Sequence, residues 1–145
     1  MSIDKKSKKA STSITLSLRL DPRSKYLIDL LARHQKRTIT GVIEWAVERA
    51  GAEAIFDNDR GTSFLDVIDL LWSTDESVRL ANLAIARPDL LTYDELRIWE
   101  TIKASPALWN TSGQLSHSTL QKEWGNLLEY VEQHRLNRAV KPYLV

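Results

Sequence analysis

The run from Ser13 to Leu20, SITLSLRL, alternates strictly, with Ile14, Leu16, Leu18 and Leu20 on one side and Ser13, Thr15, Ser17 and Arg19 on the other. Successive side chains of a β-strand point to opposite faces, so the pattern predicts a strand with one apolar and one polar face. A lone strand leaves its backbone N–H and C=O groups unpaired and its apolar face wet. The partner expected for it is a second copy of the same segment.

Two helices should follow at once. Asp21 is a good N-cap and Pro22 suits a first helical position, so a helix is predicted from Pro22 to about Gln35, with Leu27, Ile28 and Leu31 on its apolar stripe and Leu30 beside it. Lys36 and Arg37 break that pattern, and Thr38 is placed to cap a second helix from Ile39, whose buried stripe would be Ile39, Val42, Ile43, Ala46 and Val47. Neither helix is long enough to be stable alone in water, so their apolar faces are expected to pack on each other and on the strand.

Strand, N-capped helix, basic turn and Thr-capped helix, in that order over residues 13–50, resemble the ribbon-helix-helix superfamily of Arc-, MetJ- and CopG-like DNA-binding proteins. The resemblance implies a mainly α chain with one strand and two helices per chain in its N-terminal domain, residues 13–55, the strand paired in an intertwined dimer. It implies that this two-stranded ribbon enters the major groove of double-stranded DNA. Thr15, Ser17 and Arg19 would then read bases, while Ser13, Arg37, Thr38, Ile39 and Thr40 would touch the DNA backbone. The dimer core would comprise Ile14, Leu16, Leu18, Leu20, Ile43 and Val47. Arginine can donate two hydrogen bonds to guanine O6 and N7, which discriminates bases by roughly 1–3 kcal/mol, whereas serine and threonine hydroxyls are more permissive. Free N–H groups at a helix start attract phosphate, and Thr38 is expected both to cap and to contact. Two positions depart from the family pattern. Lys36 stands where the turn often carries glycine, which predicts a looser exit from the first helix. Gly41, inside the second helix, costs about 1 kcal/mol relative to alanine and reads either as a close helix approach in the dimer or as a tolerated imperfection.

Charge is divided along the chain. Residues 1–50 hold 11 Lys plus Arg against 5 Asp plus Glu, a net of +6; residues 51–145 hold 9 against 14, a net of −5, which together give the formal +1. The basic half suits phosphate and the acidic half should face away from DNA. Residues 1–12 carry Lys5, Lys6, Lys8 and Lys9 and are expected to form a disordered arm on the DNA backbone, the alternative being a solubilising tail. No apolar run follows the arm, so neither a signal peptide nor a membrane anchor is predicted.

Residues 56–145 read as an all-α C-terminal domain for oligomerisation or partner binding, with a boundary near AIFDNDRGTS. Thr62 or Ser63 should start a segment to Trp72 with Phe64, Val67, Ile68, Leu71 and Trp72 on its stripe. Thr74 or Asp75 should cap a helix ending before Arg87, with Val78, Leu80, Leu83, Ala84 and Ile85 apolar. Thr92 and Glu95 form a capping box for a helix burying Leu96, Trp99 and Ile102. A last helix is predicted from about Ser118 to Asn137, burying Leu120, Trp124, Leu127, Leu128 and Val131. Trp72, Trp99, Trp109 and Trp124 are expected mainly in a core, an interface or ligand pocket being the other reading.

The sequence offers no catalytic constellation. There is no cysteine, which excludes disulfides and thiolate chemistry, and His34, His117 and His134 have no metal-ligand spacing. Asp57 with Asp59, and Asp66 with Asp69, read as solvated helix-start carboxylates more readily than as acid–base pairs. No phosphate-binding glycine loop or G-x-S-x-G elbow occurs. The chain is therefore expected to be a non-enzymatic, cytoplasmic protein without cofactor or metal. The leading reading is a bacterial-type transcriptional regulator, a homodimer with a tetramer on DNA as the further option, and with a protein partner possible through the C-terminal domain. An antitoxin, a plasmid relaxosome or partition accessory protein, and a helical dimeric adaptor that does not bind DNA are the alternatives.

Overall fold

In the computed structural model, which describes residues 13–144, helices begin where the sequence supplies capping side chains. Helix α1 spans Pro22–Gln35; the Asp21 carboxylate accepts from the Ser24 N–H at 3.3 Å, and Pro22 occupies the first position, where no N–H is needed. Helix α2 spans Ile39–Glu53, and the Thr38 hydroxyl accepts from the Gly41 N–H at 3.0 Å. Helix α3, Phe64–Leu71, opens on a full capping box of Ser63 and Asp66. Asp75 caps α4, Glu76–Ala86, and the expected Thr92–Glu95 box opens α5, Tyr93–Ala104. Helix α6 is His117–Gln133 and stops before the expected Asn137, the His134 carbonyl accepting from the Arg97 guanidinium at 2.8 Å. The described residues are mainly helical, as the sequence predicts.

Two expectations need correction, and the expected ribbon is not formed within one chain. Residues 13–20 form no strand in the single chain: they have no regular secondary structure, and every one of them is exposed. Alternation provides a face but no hydrogen-bonding partner, and a strand exists only beside a neighbour. The expected ribbon thus requires a second chain.

The second half is not all helix. Strands β1, Ile55–Asp57, and β2, Thr62–Ser63, pair antiparallel, with Ile55 opposite Ser63, Asp57 opposite Thr62 and a bulge between. The polar run read as a boundary is the turn of this hairpin. Asp57 Oδ1 accepts from the N–H groups of Asp59 and Arg60 at 2.9 and 3.3 Å, and Gly61 takes φ of 65°, which glycine adopts without a steric penalty. Arg87, just past α4, holds the hairpin: its guanidinium donates to the Phe56 carbonyl at 2.6 Å, sits 5.4 Å from the Phe56 ring centre and binds both Asp89 oxygens at 2.7 and 2.8 Å.

The exit from α1 is tight. Lys36 adopts φ 53°, ψ 44°, and the N–H groups of Lys36 and Arg37 return to the carbonyls of Arg33 and Ala32 at 3.4 and 3.0 Å. This is the Schellman arrangement that glycine usually closes. Lysine makes it by accepting a left-handed backbone at a cost of about 1 kcal/mol.

Packing divides the chain into two units, one ending at Arg49 and the other beginning at Ala50, within α2. The second unit owns a continuous core: Leu80, Ala81 and Ala84 of α4, Trp99 and Ile102 of α5, Leu108 and Leu115 of the connection, and Leu120 and Leu127 of α6. Trp109 and Trp124 pack against it, and Trp109 Nε1 donates to the Ile102 carbonyl at 2.9 Å. Trp72 and Ile68 depart from the expected stripe and are exposed, as are Ile85 and Leu96. Helix α3 packs mainly on α4 and the hairpin, and Leu65, Ile68 and Leu70 remain exposed. In the first unit Val42 is the single buried residue among those described.

Two predictions follow from the caps. Lys36→Gly should stabilise the chain by about 0.5–1 kcal/mol, because relief of left-handed strain outweighs the added chain entropy; a higher urea midpoint checks it, and an unchanged or lower one refutes it. The second concerns acid. The Ser63 N–H, donating to the Asp66 carboxylate at 2.8 Å, and after it the Ser63 hydroxyl hold the Asp66 carboxyl below the ordinary 3.8. The Ser77 hydroxyl, followed by the Val78 N–H, does the same for Asp75. Stability from both is complete above that ordinary value and is lost as pH falls through the depressed folded values. The urea midpoint should therefore drop below pH 3.8, and less steeply in Asp75→Asn, which keeps the cap but cannot titrate.

Candidate nucleic-acid interface

The turn between α1 and α2 brings Arg37, Thr38, Ile39 and Thr40 together. The Val42 N–H bonds the Thr38 carbonyl at 3.0 Å and the Gly41 N–H takes the Thr38 hydroxyl, which leaves the N–H groups of Ile39 and Thr40 at the helix start without an acceptor among the described residues. Gly41 has a local reason to be glycine. A Cβ there would lie 3.3 Å from Thr38 Oγ1 and 3.6 Å from Arg37 Cβ, so its absence lets the cap and the arginine stem close over the first turn.

A helix N-terminus carries partial positive charge and is stabilised by acidic residues in its first turn. Helices α3, α4 and α5 obey, with Asp66, Glu76, and Asp94 plus Glu95. Helices α1, α2 and α6 have no acid in the first turn, and among these three only α2 is entered directly through two adjacent exposed cations, Lys36 and Arg37. Two cations beside a positive helix end repel it by several tenths of a kcal/mol each, and an anion at the turn would reverse the sign.

The other sequence-predicted residues lie on the segment before α1. Ser13, Thr15, Ser17 and Arg19 are exposed, and Arg19 makes no hydrogen bond or ion pair with the described residues. Ile14, Leu16, Leu18 and Leu20 are exposed too, at 90, 74, 52 and 43%. Val47 is exposed and Ile43 half-buried, so one chain does not assemble the expected dimer core. Lys5, Lys6, Lys8 and Lys9 lie outside the described residues.

One feature escaped the sequence pattern. Arg23, Ser24, Tyr26, Leu27 and Leu30 line an open depression of about 240 Å³ on α1. Its signal is an apolar arc wider than one stripe, since Tyr26–Leu30 and Leu27–Leu31 are both i,i+4 pairs. A larger depression of about 550 Å³ lies beside the hairpin, but its arginine, Arg87, is already committed to Asp89 and Phe56.

No helix among the described residues is long and apolar enough to cross a membrane. Comparison with protein-family models, curated proteins and solved structures gives no match.

Proposed function

We propose that this chain is a dimeric, sequence-specific double-stranded-DNA-binding transcriptional regulator that reads the major groove with a ribbon made of residues 13–20 from two copies. The observation that carries the reading is the exposed row Ile14, Leu16, Leu18 and Leu20 in the single chain, back to back with the polar row Thr15, Ser17 and Arg19. Burying one such side chain fully is worth about 1.5–3 kcal/mol, so four of them provide a strong drive toward a second copy. Pairing two segments would also satisfy their backbone groups and turn the Arg19 face outward. The acid-free, basic start of α2 supports the same reading, because it fits a phosphate better than it fits solvent. The C-terminal unit has a core of its own, which favours a regulator over an antitoxin whose C-terminal segment folds only on its partner.

Selection of bound fragments from a random DNA pool should enrich a site with two-fold or tandem half-sites. Arg19→Ala should cost about 1–3 kcal/mol of specific affinity and relax one base pair per half-site, whereas Arg37→Ala should weaken all sequences alike and flatten the salt dependence by about 0.9 in log–log slope. Leu18→Glu should abolish the dimer. A folded Arg19→Ala chain that binds its site normally would exclude the ribbon. If nothing is enriched at low salt, the adaptor reading takes its place.

A further inference from the structure

The C-terminal segment returns to the second unit after α6 and is held there as a peptide ligand would be. Residues 138–144 have no helix or strand, and their hydrogen bonds come from side chains of α6 and from Ser105, the residue after α5. The Tyr143 N–H donates to Ser105 Oγ at 2.7 Å, the Tyr130 hydroxyl donates to the Pro142 carbonyl at 2.9 Å, and the Tyr143 hydroxyl donates to Glu123 Oε2 at 2.9 Å. The Tyr143 ring meets the Tyr130 ring edge-on at 5.3 Å and packs against the core. Ser105 is fully buried and donates its own proton to the Thr101 carbonyl, so its oxygen faces the segment as an acceptor prepared for one N–H. A backbone N–H, a backbone carbonyl, a phenol and an aromatic face are each recognised separately.

We propose that this groove is a recognition site for a Pro-Tyr segment, and that besides holding its own Pro142 and Tyr143 it takes the same segment from a second copy. The occupant is argued from fit: the one peptide seen to satisfy every group in the groove is carried by each copy of the chain. The path into the groove permits the exchange. Residues 134–141 have no regular structure, and Leu136 is 95% exposed, so little packing is lost when the segment leaves. Exchange conserves every contact, and its balance is then set by the local concentration of segments, on the order of millimolar for a short flexible link. This inference stands on the second unit and does not require the DNA-binding reading.

The full-length Leu18→Glu chain, with the N-terminal dimer disabled, isolates the effect. Sedimentation from micromolar to millimolar protein should show association that Tyr143→Ala removes. A labelled peptide of residues 138–145 should bind the Tyr143→Ala chain saturably, and about tenfold more weakly when the peptide carries Tyr143→Phe or the chain carries Glu123→Gln. Association that Tyr143→Ala leaves unchanged, or a Leu18→Glu chain that stays monomeric at millimolar concentration, overturns the exchange even if the peptide binds. Absence of saturable peptide binding by a chain that keeps its helical circular dichroism overturns the recognition site itself. If Leu18→Glu does not disable the N-terminal dimer, the loss of association on Tyr143→Ala still decides.

Discussion

Apolar surface needs cover, and the two units of this chain meet that need differently. Short helices gain most of their stability from packing one face. In the second unit α4, α5 and α6 cover one another around Ile102, Leu108, Leu120 and Leu127, each fully buried. The first unit has two helices and an unpaired segment, with Val42 alone buried among its described residues. A chain that builds a complete core over its later residues is fully able to do so earlier. The uncovered N-terminal surface is the one that the proposed dimer would bury while pairing the backbone.

The same contrast runs through the charges. Three helix starts carry acids, at Asp66, Glu76 and Glu95, whereas α1, α2 and α6 have none in the first turn. The start of α2 instead sits beside Lys36 and Arg37, and Lys36 also accepts left-handed backbone to make the turn. Glycine would close that turn with less strain. Retaining a cation there at a cost in stability is what a phosphate contact would demand.

Legibility from sequence followed the range of the interaction. Asp21, Thr38 and Thr92 act as expected on N–H groups three residues away, Ser63 and Asp75 are the members of their expected pairs that do so, and α6 begins at His117 without a side-chain cap. The hairpin was hidden because β2 has two residues, too few for any period to emerge. Trp72 and Ile68 matched a buried stripe by spacing, but spacing does not reveal which part of that stripe the rest of the unit covers. The groove for Tyr143 could not have been read at all, since Ser105 and Glu123 lie 38 and 20 residues away along the chain. At the candidate interface the residue types were legible, whereas the room that Gly41 leaves for Thr38 and Arg37 needed coordinates.

The Arg87 clamp also bridges a long stretch of chain. The hairpin pairs few residues, and the guanidinium that holds the Phe56 carbonyl arrives from 31 positions further along. That loop must close before the bond is gained, and closure costs entropy in advance. The bond therefore couples two elements that the sequence keeps far apart: the hairpin strand cannot open fully without releasing Arg87, the C-cap of α4.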